Sequence, residues 1–300
     1  MTTVTAHIPA SLQPGFDACR VITRERARNF YYGLRLTPEP RRSALYAIYA
    51  WSRLGDDIAD GDAPVPDRVS SLDAFEAETR RAIDGVPSDA DPLWAALAHT
   101  LSAYPIEPAW LYQMIEGFRR DLAFTPIKDR AQLEDYCDLV AGTVGRMCVA
   151  VWGLRPGVDP EEAMAHATDR GLAFQLTNIL RDFGADFDEG RVYIEADRFD
   201  RAGLDPAAVR AWTDHGACAA FIRGVVTEAE AAFGRSAPLV DLVDPPCRPV
   251  LSAMTRIYYG LLQRIGDQPR LVTDPAGVRL GKLSKITIAA RAVLESRLRS

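Results

Sequence analysis

The chain has 300 residues, 48% of them hydrophobic, and a net charge of -6 at pH 7 from 35 Lys and Arg against 41 Asp and Glu. That content suffices for a large buried core, and the acidic balance without any Lys/Arg-rich run excludes an overall basic field for nucleic acid or an anionic membrane. Five scattered cysteines without a CxxC pair and four histidines without zinc spacing point to reduced thiols in a cytoplasmic protein and against a structural zinc site.

Residues 1–17 read as a loose start, lacking the basic stretch and apolar run of a signal peptide. Helical periodicity dominates thereafter. One helix is expected from Phe16 to Leu36; Thr37-Pro38 starts another that runs to Asp60, since Pro is tolerated in a first turn. Residues 61–68 form a turn-rich loop. Further helices are expected over 69–84, 91–103, 108–122, 129–153, 160–189, 206–234, 247–265 and 282–298, with Gly or Pro at most junctions. Arg191-Val192-Tyr193-Ile194 is an isolated run with extended character. No stretch of ~18 consecutive apolar residues predicts a membrane-spanning helix; peripheral membrane contact stays open. With no linker and no alternating strand pattern, the expected architecture is all-α, a single helical domain over residues 1–300 around a common centre.

Two of these helices carry the same acidic spacing. In the first, Tyr49, Arg53, Asp56 and Asp60 follow steps of four, three and four and so form one stripe. In the second, Gln175, Asn178, Asp182 and Asp186 follow steps of three, four and four and form another stripe, beside Leu172, Leu176, Ile179, Leu180, Phe183 and Phe187. A lone acidic pair on a helix is usually a solvated face. A polar stripe within so apolar a helix is costly to bury without partners. Mg²⁺, which prefers oxygen ligands and bridges carboxylates to substrate phosphates, would supply them. Arg181 and Arg191 flank the second motif, and guanidinium groups hold phosphate oxygens bidentately. Metal-assisted loss of a diphosphate, followed by protection of a carbocation in a dry aromatic pocket, is the chemistry this pattern suits.

At these residues the sequence resembles the squalene/phytoene synthase family. The resemblance rests on the stretch from Tyr49 to Asp60, on Tyr136 to Gly145 (YCDLVAGTVG), on Gln175 to Asp186, and on Gly190-Arg191-Val192-Tyr193. It implies an isoprenoid synthase fold with a central cavity and Mg²⁺-dependent, head-to-head condensation of two prenyl diphosphates. It further implies that Asp56, Asp60, Asp182 and Asp186 bind Mg²⁺ and diphosphate. Arg53, Gln175, Asn178, Arg181, Arg191 and Tyr193 would hold diphosphate or order the metal shell. Tyr49, Tyr136 and Tyr258 would face the reacting centre, and Phe30, Val140, Ala141 and Val144 would line the prenyl channel. Outside the resemblance, Tyr136, Val140 and Val144 read as ordinary core, and Tyr258 competes with its neighbour Tyr259.

There are departures from the family pattern. Arg26, Ala27, Arg28 and Asn29 stand where His or Ser is common, Ile194-Glu195 replaces Leu-Pro after Tyr193, and Gly277 stands where Arg is frequent. The look is nearest the hopanoid-associated presqualene diphosphate synthases. Farnesyl diphosphate is then the expected substrate and presqualene diphosphate or squalene the product, with NADPH needed only for squalene. The alternative is a phytoene or dehydrosqualene synthase. A non-catalytic all-α scaffold, which would be expected to lose the aspartates, and a head-to-tail transferase or terpene cyclase fit less well. Expected partners are prenyl diphosphates and downstream isoprenoid enzymes, and no nucleic acid.

Overall fold

The computed structural model describes residues 7–89, 91–274, 277–279, 281, 287, 288 and 292. Its α-helices are α1 (Gln13–Arg26), α2 (Arg28–Leu34), α3 (Arg41–Ala59), α4 (Val65–Ile83), α5 (Pro92–Ala103), α6 (Pro108–Leu122), α7 (Arg130–Cys137), α8 (Thr143–Trp152), α9 (Pro160–Asp188), α10 (Ala196–Ala202), α11 (Pro206–Ala211), α12 (His215–Arg235), α13 (Leu239–Leu242) and α14 (Arg248–Asp267). A π-helical turn, Asp138–Gly142, joins α7 to α8. Among the described residues the sole β-pairing is an isolated bridge between Leu154 and Val243.

Several starts follow one local rule. Asp91, Asp159 and Asp205 each precede a proline and accept a backbone N–H from inside the helix they begin, at 2.8, 3.0 and 2.6 Å. A carboxylate satisfies an orphan donor of the first turn, and Pro at the first helical position loses no bond there.

The long helix α9 packs against α8, α12, α14 and the π-helical turn, while α3 packs against α1, α4, α5 and α6. Both helices bury an apolar face: Leu45, Ile48 and Trp51 on α3, and Leu176, Ile179 and Leu180 on α9. The Trp51 indole donates to Thr79 Oγ1 at 2.9 Å, so this core tryptophan leaves no polar atom unpaired. The layout puts the acidic ends of α3 and α9 on the same cavity, with residues of α2, α6, α7, α8, α14 and the π-helical turn among the rest of its lining.

The structure corrects several expected boundaries. Phe16 to Leu36 is broken at Ala27 into α1 and α2, and the second helix begins at Arg41 rather than Pro38. Within the stretch expected as a loose start, Ala10–Leu12 forms a 3-10 turn and α1 begins at Gln13. The expected 61–68 loop is cut short by Val65, where α4 starts. The 129–153 helix carries the π-helical turn, and 206–234 divides at Trp212, whose φ of 56° ends α11 before Asp214 caps α12. Helix α10 was not expected at all. Its entry is fixed by Ala196 N–H bonding to Ile127 O at 2.9 Å, a partner too distant in sequence for local pattern to reveal. The expected 282–298 helix lies outside the described residues. All five cysteines are free and buried.

The approach of α9 to the π-helical turn depends on glycine. A Cβ on Gly171 would lie 2.5 Å from Ala141 O and 2.7 Å from Gly142 N, and one on Gly145 would lie 2.5 Å from Ala167 O. These neighbours are backbone and cannot rotate away. Gly171→Ala is therefore expected to destabilise the protein by about 1–3 kcal/mol through overpacking. Urea unfolding checks this, and an unchanged midpoint would show that the two backbones separate at little cost.

Candidate active site

Every residue singled out from the sequence lines one cavity of about 1830 Å³. Tyr49, Arg53, Asp56 and Asp60 reach it from α3; Gln175, Asn178, Arg181, Asp182 and Asp186 reach it from α9. Phe30 comes from α2, Tyr136 from α7, Val140 and Ala141 from the π-helical turn, Val144 from α8 and Tyr258 from α14, with Arg191 and Tyr193 on the loop after α9. Tyr258, rather than Tyr259, is the cavity residue, and it is 2% exposed.

The acidic residues are held by arginines. Arg53 donates to Asp56 at 2.6 Å and also pairs with Asp57. Arg26 reaches Asp57 from the end of α1 at 2.7 Å, so the departure at this position becomes a second cation on the first motif. Arg181 Nε donates to Asp182 Oδ1 at 2.8 Å. Arg191 Nη1 donates to Asp60 Oδ1 at 2.7 Å and thereby ties the loop after α9 to the end of α3. That loop is itself fixed: the Arg191 N–H bonds to Asp186 O at 2.7 Å. Below it, Ile194 is buried, and Glu195, 1% exposed, accepts from Arg198 at 2.8 Å.

These pairings leave charge and hydrogen-bonding capacity over. Burial, then the charge of Asp60, pushes the Asp56 carboxyl up to about 6 against the pull of Arg53. Its side chain still keeps 39% of its accessible surface, and the open side faces the confined cavity. Burial, then the charge of Asp182, pushes Asp186 up to about 7. Both shifts record carboxylates short of cationic compensation. Nearby, Asn178 Nδ2 donates to Gln175 Oε1 at 3.2 Å while its Oδ1 is buried without a partner. The Nε atoms of Arg53 and Arg191 are likewise buried without acceptors. One cavity mouth thus offers an unmatched oxygen acceptor beside uncompensated carboxylates, and unmatched cationic donors beside them.

This donor set fits a hard divalent cation, which takes oxygen ligands. Among the described residues no three His, Cys, Asp or Glu side chains converge on one point. Mg²⁺ does not require that, because it is commonly held by one or two carboxylates and completes its shell with water and phosphate oxygens.

Below the mouth the wall is aromatic and aliphatic. Tyr258 stacks on Phe174 with centroids 4.2 Å apart, and Phe30 meets Tyr258 edge-on at 5.4 Å. Ring faces of this kind attract a cation. Tyr136 and Tyr193 stack at 5.0 Å, and both hydroxyls donate to Asp121 Oδ1 at 2.9 Å. Asp121 was missed in the sequence. It shares a helical face with Met114 and Phe118, whose steps of four and three could have marked it, and all three residues line the cavity. Burial raises its carboxyl above the ordinary range, although the two phenols favour the ionised form.

Residues 23–285 match the model of the squalene/phytoene synthase family. A phytoene synthase of Mycobacterium tuberculosis is 34% identical over 289 residues, which cover 95% of this chain and 92% of that protein. A chloroplastic phytoene synthase of an Oncidium hybrid cultivar is 42% identical over 196 residues, 64% of this chain and 47% of its own. Among solved structures, a dehydrosqualene synthase in complex with a ligand superposes with a TM-score of 0.83 at 25% identity, over 96% of this chain and 98% of that one. Squalene synthase HpnC from Alicyclobacillus acidocaldarius gives 0.79 at 29% identity, over 87% and 96%.

The Asp121 arrangement has a measurable consequence. Asp121→Ala leaves the buried Tyr136 phenol and the half-buried Tyr193 phenol without their acceptor and is expected to cost about 2–4 kcal/mol of stability, whereas Asp121→Asn keeps an acceptor oxygen and is expected to cost less than half as much. Equal losses for the two variants in urea unfolding would contradict the shared hydrogen bond.

Proposed function

Because the chain belongs to the squalene/phytoene synthase family, we propose that it joins two farnesyl diphosphates head to head into presqualene diphosphate, continuing to squalene where NADPH is supplied. The observation that carries this reading is the cavity mouth, where unpartnered Arg53 Nε and Arg191 Nε accompany the unpartnered Asn178 Oδ1 and the under-compensated Asp56 and Asp186. An anion bearing its own divalent cations satisfies all of them at once.

Asp56 and Asp60 on one side, and Asn178, Asp182 and Asp186 on the other, would hold Mg²⁺. When bound, that ion neutralises the departing diphosphate and acts as a Lewis acid on its oxygens. Arg53, Arg181 and Arg191, with Gln175 and Tyr193, orient the phosphate oxygens through charge-assisted hydrogen bonds. Departure of the diphosphate leaves an allylic cation beneath the mouth. Tyr49, Phe30, Phe174 and Tyr258 shield it with ring faces, and Val140, Ala141 and Val144 keep water from it. Tyr136, held with Tyr193 on Asp121, presents a fixed phenol at the same level. The double bond of the second allylic chain, lying alongside, attacks that cation, and loss of one proton from the carbon that carried the departed diphosphate, taken up by that diphosphate, closes the cyclopropane ring. No described helix is long and apolar enough to cross a membrane; delivery of a greasy product to downstream isoprenoid enzymes would then use peripheral contact.

A second reading, in which two geranylgeranyl diphosphates give phytoene, is favoured by the names of relatives such as the Mycobacterium protein at 34% identity. Purified protein with Mg²⁺ and labelled farnesyl or geranylgeranyl diphosphate, with and without NADPH, separates the two by product. Farnesyl-derived presqualene diphosphate is expected. A strong preference for geranylgeranyl diphosphate would replace the first reading with the second. Chelation is expected to abolish turnover and Mg²⁺ to restore it. Asp56→Asn and Asp182→Asn are each expected to lower kcat at least about a hundredfold, the scale for losing one element of transition-state charge stabilisation.

A further inference from the structure

Below its acidic mouth the cavity wall carries, among the described residues, one buried cation that the reaction does not use. Arg170, on α9, lines the cavity although it is only 5% exposed. Its Nε donates to Ser236 Oγ at 2.8 Å, its Nη2 to Ser236 O at 2.9 Å, and its Nη1 to Thr255 Oγ1. The guanidinium lies 5.4 Å from the centre of the Phe233 ring. No carboxylate pairs with it among the described residues; the adjacent Asp169 is taken by Arg235 at 2.7 Å. Burial lowers its pKa to about 10, which leaves it charged at neutral pH.

A guanidinium has five N–H donors, and the described protein accepts from Arg170 through the three bonds just given. The remaining donors need water or a polar ligand. A hydrocarbon tail drawn past this point would displace that water and leave a cation facing apolar carbon, which is costly. The row of rings from Phe30 through Tyr258 and Phe174 to Phe233, with successive centroids 5.4, 4.2 and 5.9 Å apart, leads from the mouth to this position.

The position can be measured along α9. Arg170 lies twelve residues before Asp182, about 18 Å at 1.5 Å per residue. An extended isoprenoid advances roughly 5 Å per unit, from four C–C bonds of about 1.5 Å. Three units from a diphosphate at Asp182 end short of Arg170, and a fourth must pass it.

We propose that Arg170 is a chain-length determinant: its guanidinium, held by Ser236 and Thr255, interrupts an apolar wall that continues to Ala167, Val149 and Trp152, and so selects farnesyl over geranylgeranyl chains. This rests on the prenyl diphosphate reading above. Its removal leaves no stranded donor at Ser236, whose hydroxyl also bonds to Ala232 O at 2.8 Å.

The test compares the full-length protein with its Arg170→Leu, Arg170→Met and Arg170→Lys variants. Calorimetry with the non-ionising thiodiphosphate analogues of farnesyl and geranylgeranyl diphosphate, in Mg²⁺, gives an affinity ratio for each. Competition between the two true substrates gives the matching product ratio. Arg170→Leu and Arg170→Met are expected to shift both ratios toward the longer chain by at least roughly tenfold, while Arg170→Lys, which keeps a cation, stays near the parent. Unchanged ratios in whichever apolar variant retains a cooperative thermal melt would overturn the proposal. So would an equal shift in Arg170→Lys, since a cation would then not be the determinant. If the unaltered protein forms no head-to-head product from either substrate, the underlying reading fails, and this inference fails with it.

Discussion

The structure depends on bringing like charges together in a confined space. Asp56 and Asp60 on α3 share a cavity with Asp182 and Asp186 on α9, and such a cluster repels itself unless cations intervene. Arg53, Arg26, Arg181 and Arg191 provide the first layer of compensation. The Arg191–Asp60 pair has a further effect, because it joins residues 131 apart in sequence and links the loop after α9 to the end of α3. The compensation is incomplete, as the raised carboxyls of Asp56 and Asp186 record. The divalent ions of the proposed reaction would offset that shortfall.

The remainder of the fold can be understood as a support for that mouth. Gly171 and Gly145 let α9 lie against the backbone of the π-helical turn and α8. The turn presents Val140 and Ala141 to the cavity, and α14 brings Tyr258 onto Phe174. The cavity therefore runs from a charged, hydrogen-bonding end into a wall of rings and methyl groups. The polarity gradient matches a molecule with a diphosphate head and a hydrocarbon tail, and one buried arginine interrupts the apolar wall at depth.

Much of the candidate site was legible in the sequence because its residues repeat at helical spacing within two long helices, α3 and α9. Periodicity alone placed Tyr49, Arg53, Asp56 and Asp60 on one stripe, and Gln175, Asn178, Asp182 and Asp186 on another; the family resemblance then brought in Phe30, Tyr136, Val144 and Tyr258. What escaped depends on partners far along the chain. Asp121 matters because Tyr193, 72 residues away, shares it with Tyr136. Arg170 reads as a polar residue in an apolar helix until Ser236 and Thr255 close around it. The break at Ala27, the start of α10 at Glu195-Ala196 and the turn at Trp212 are likewise set by tertiary contacts or a single backbone angle.

The proposed reaction requires the two acidic helices to act as a single diphosphate–metal clamp. Mn²⁺, which shares the oxygen preference of Mg²⁺ and scatters anomalously, tests it most directly in crystals soaked with farnesyl thiodiphosphate. Anomalous peaks are expected between the thiodiphosphate and both carboxylate sets, Asp56/Asp60 and Asp182/Asp186, with Asn178 Oδ1 among the ligands. Ions confined to one helix, or a thiodiphosphate seated away from Arg53 and Arg191, would contradict it.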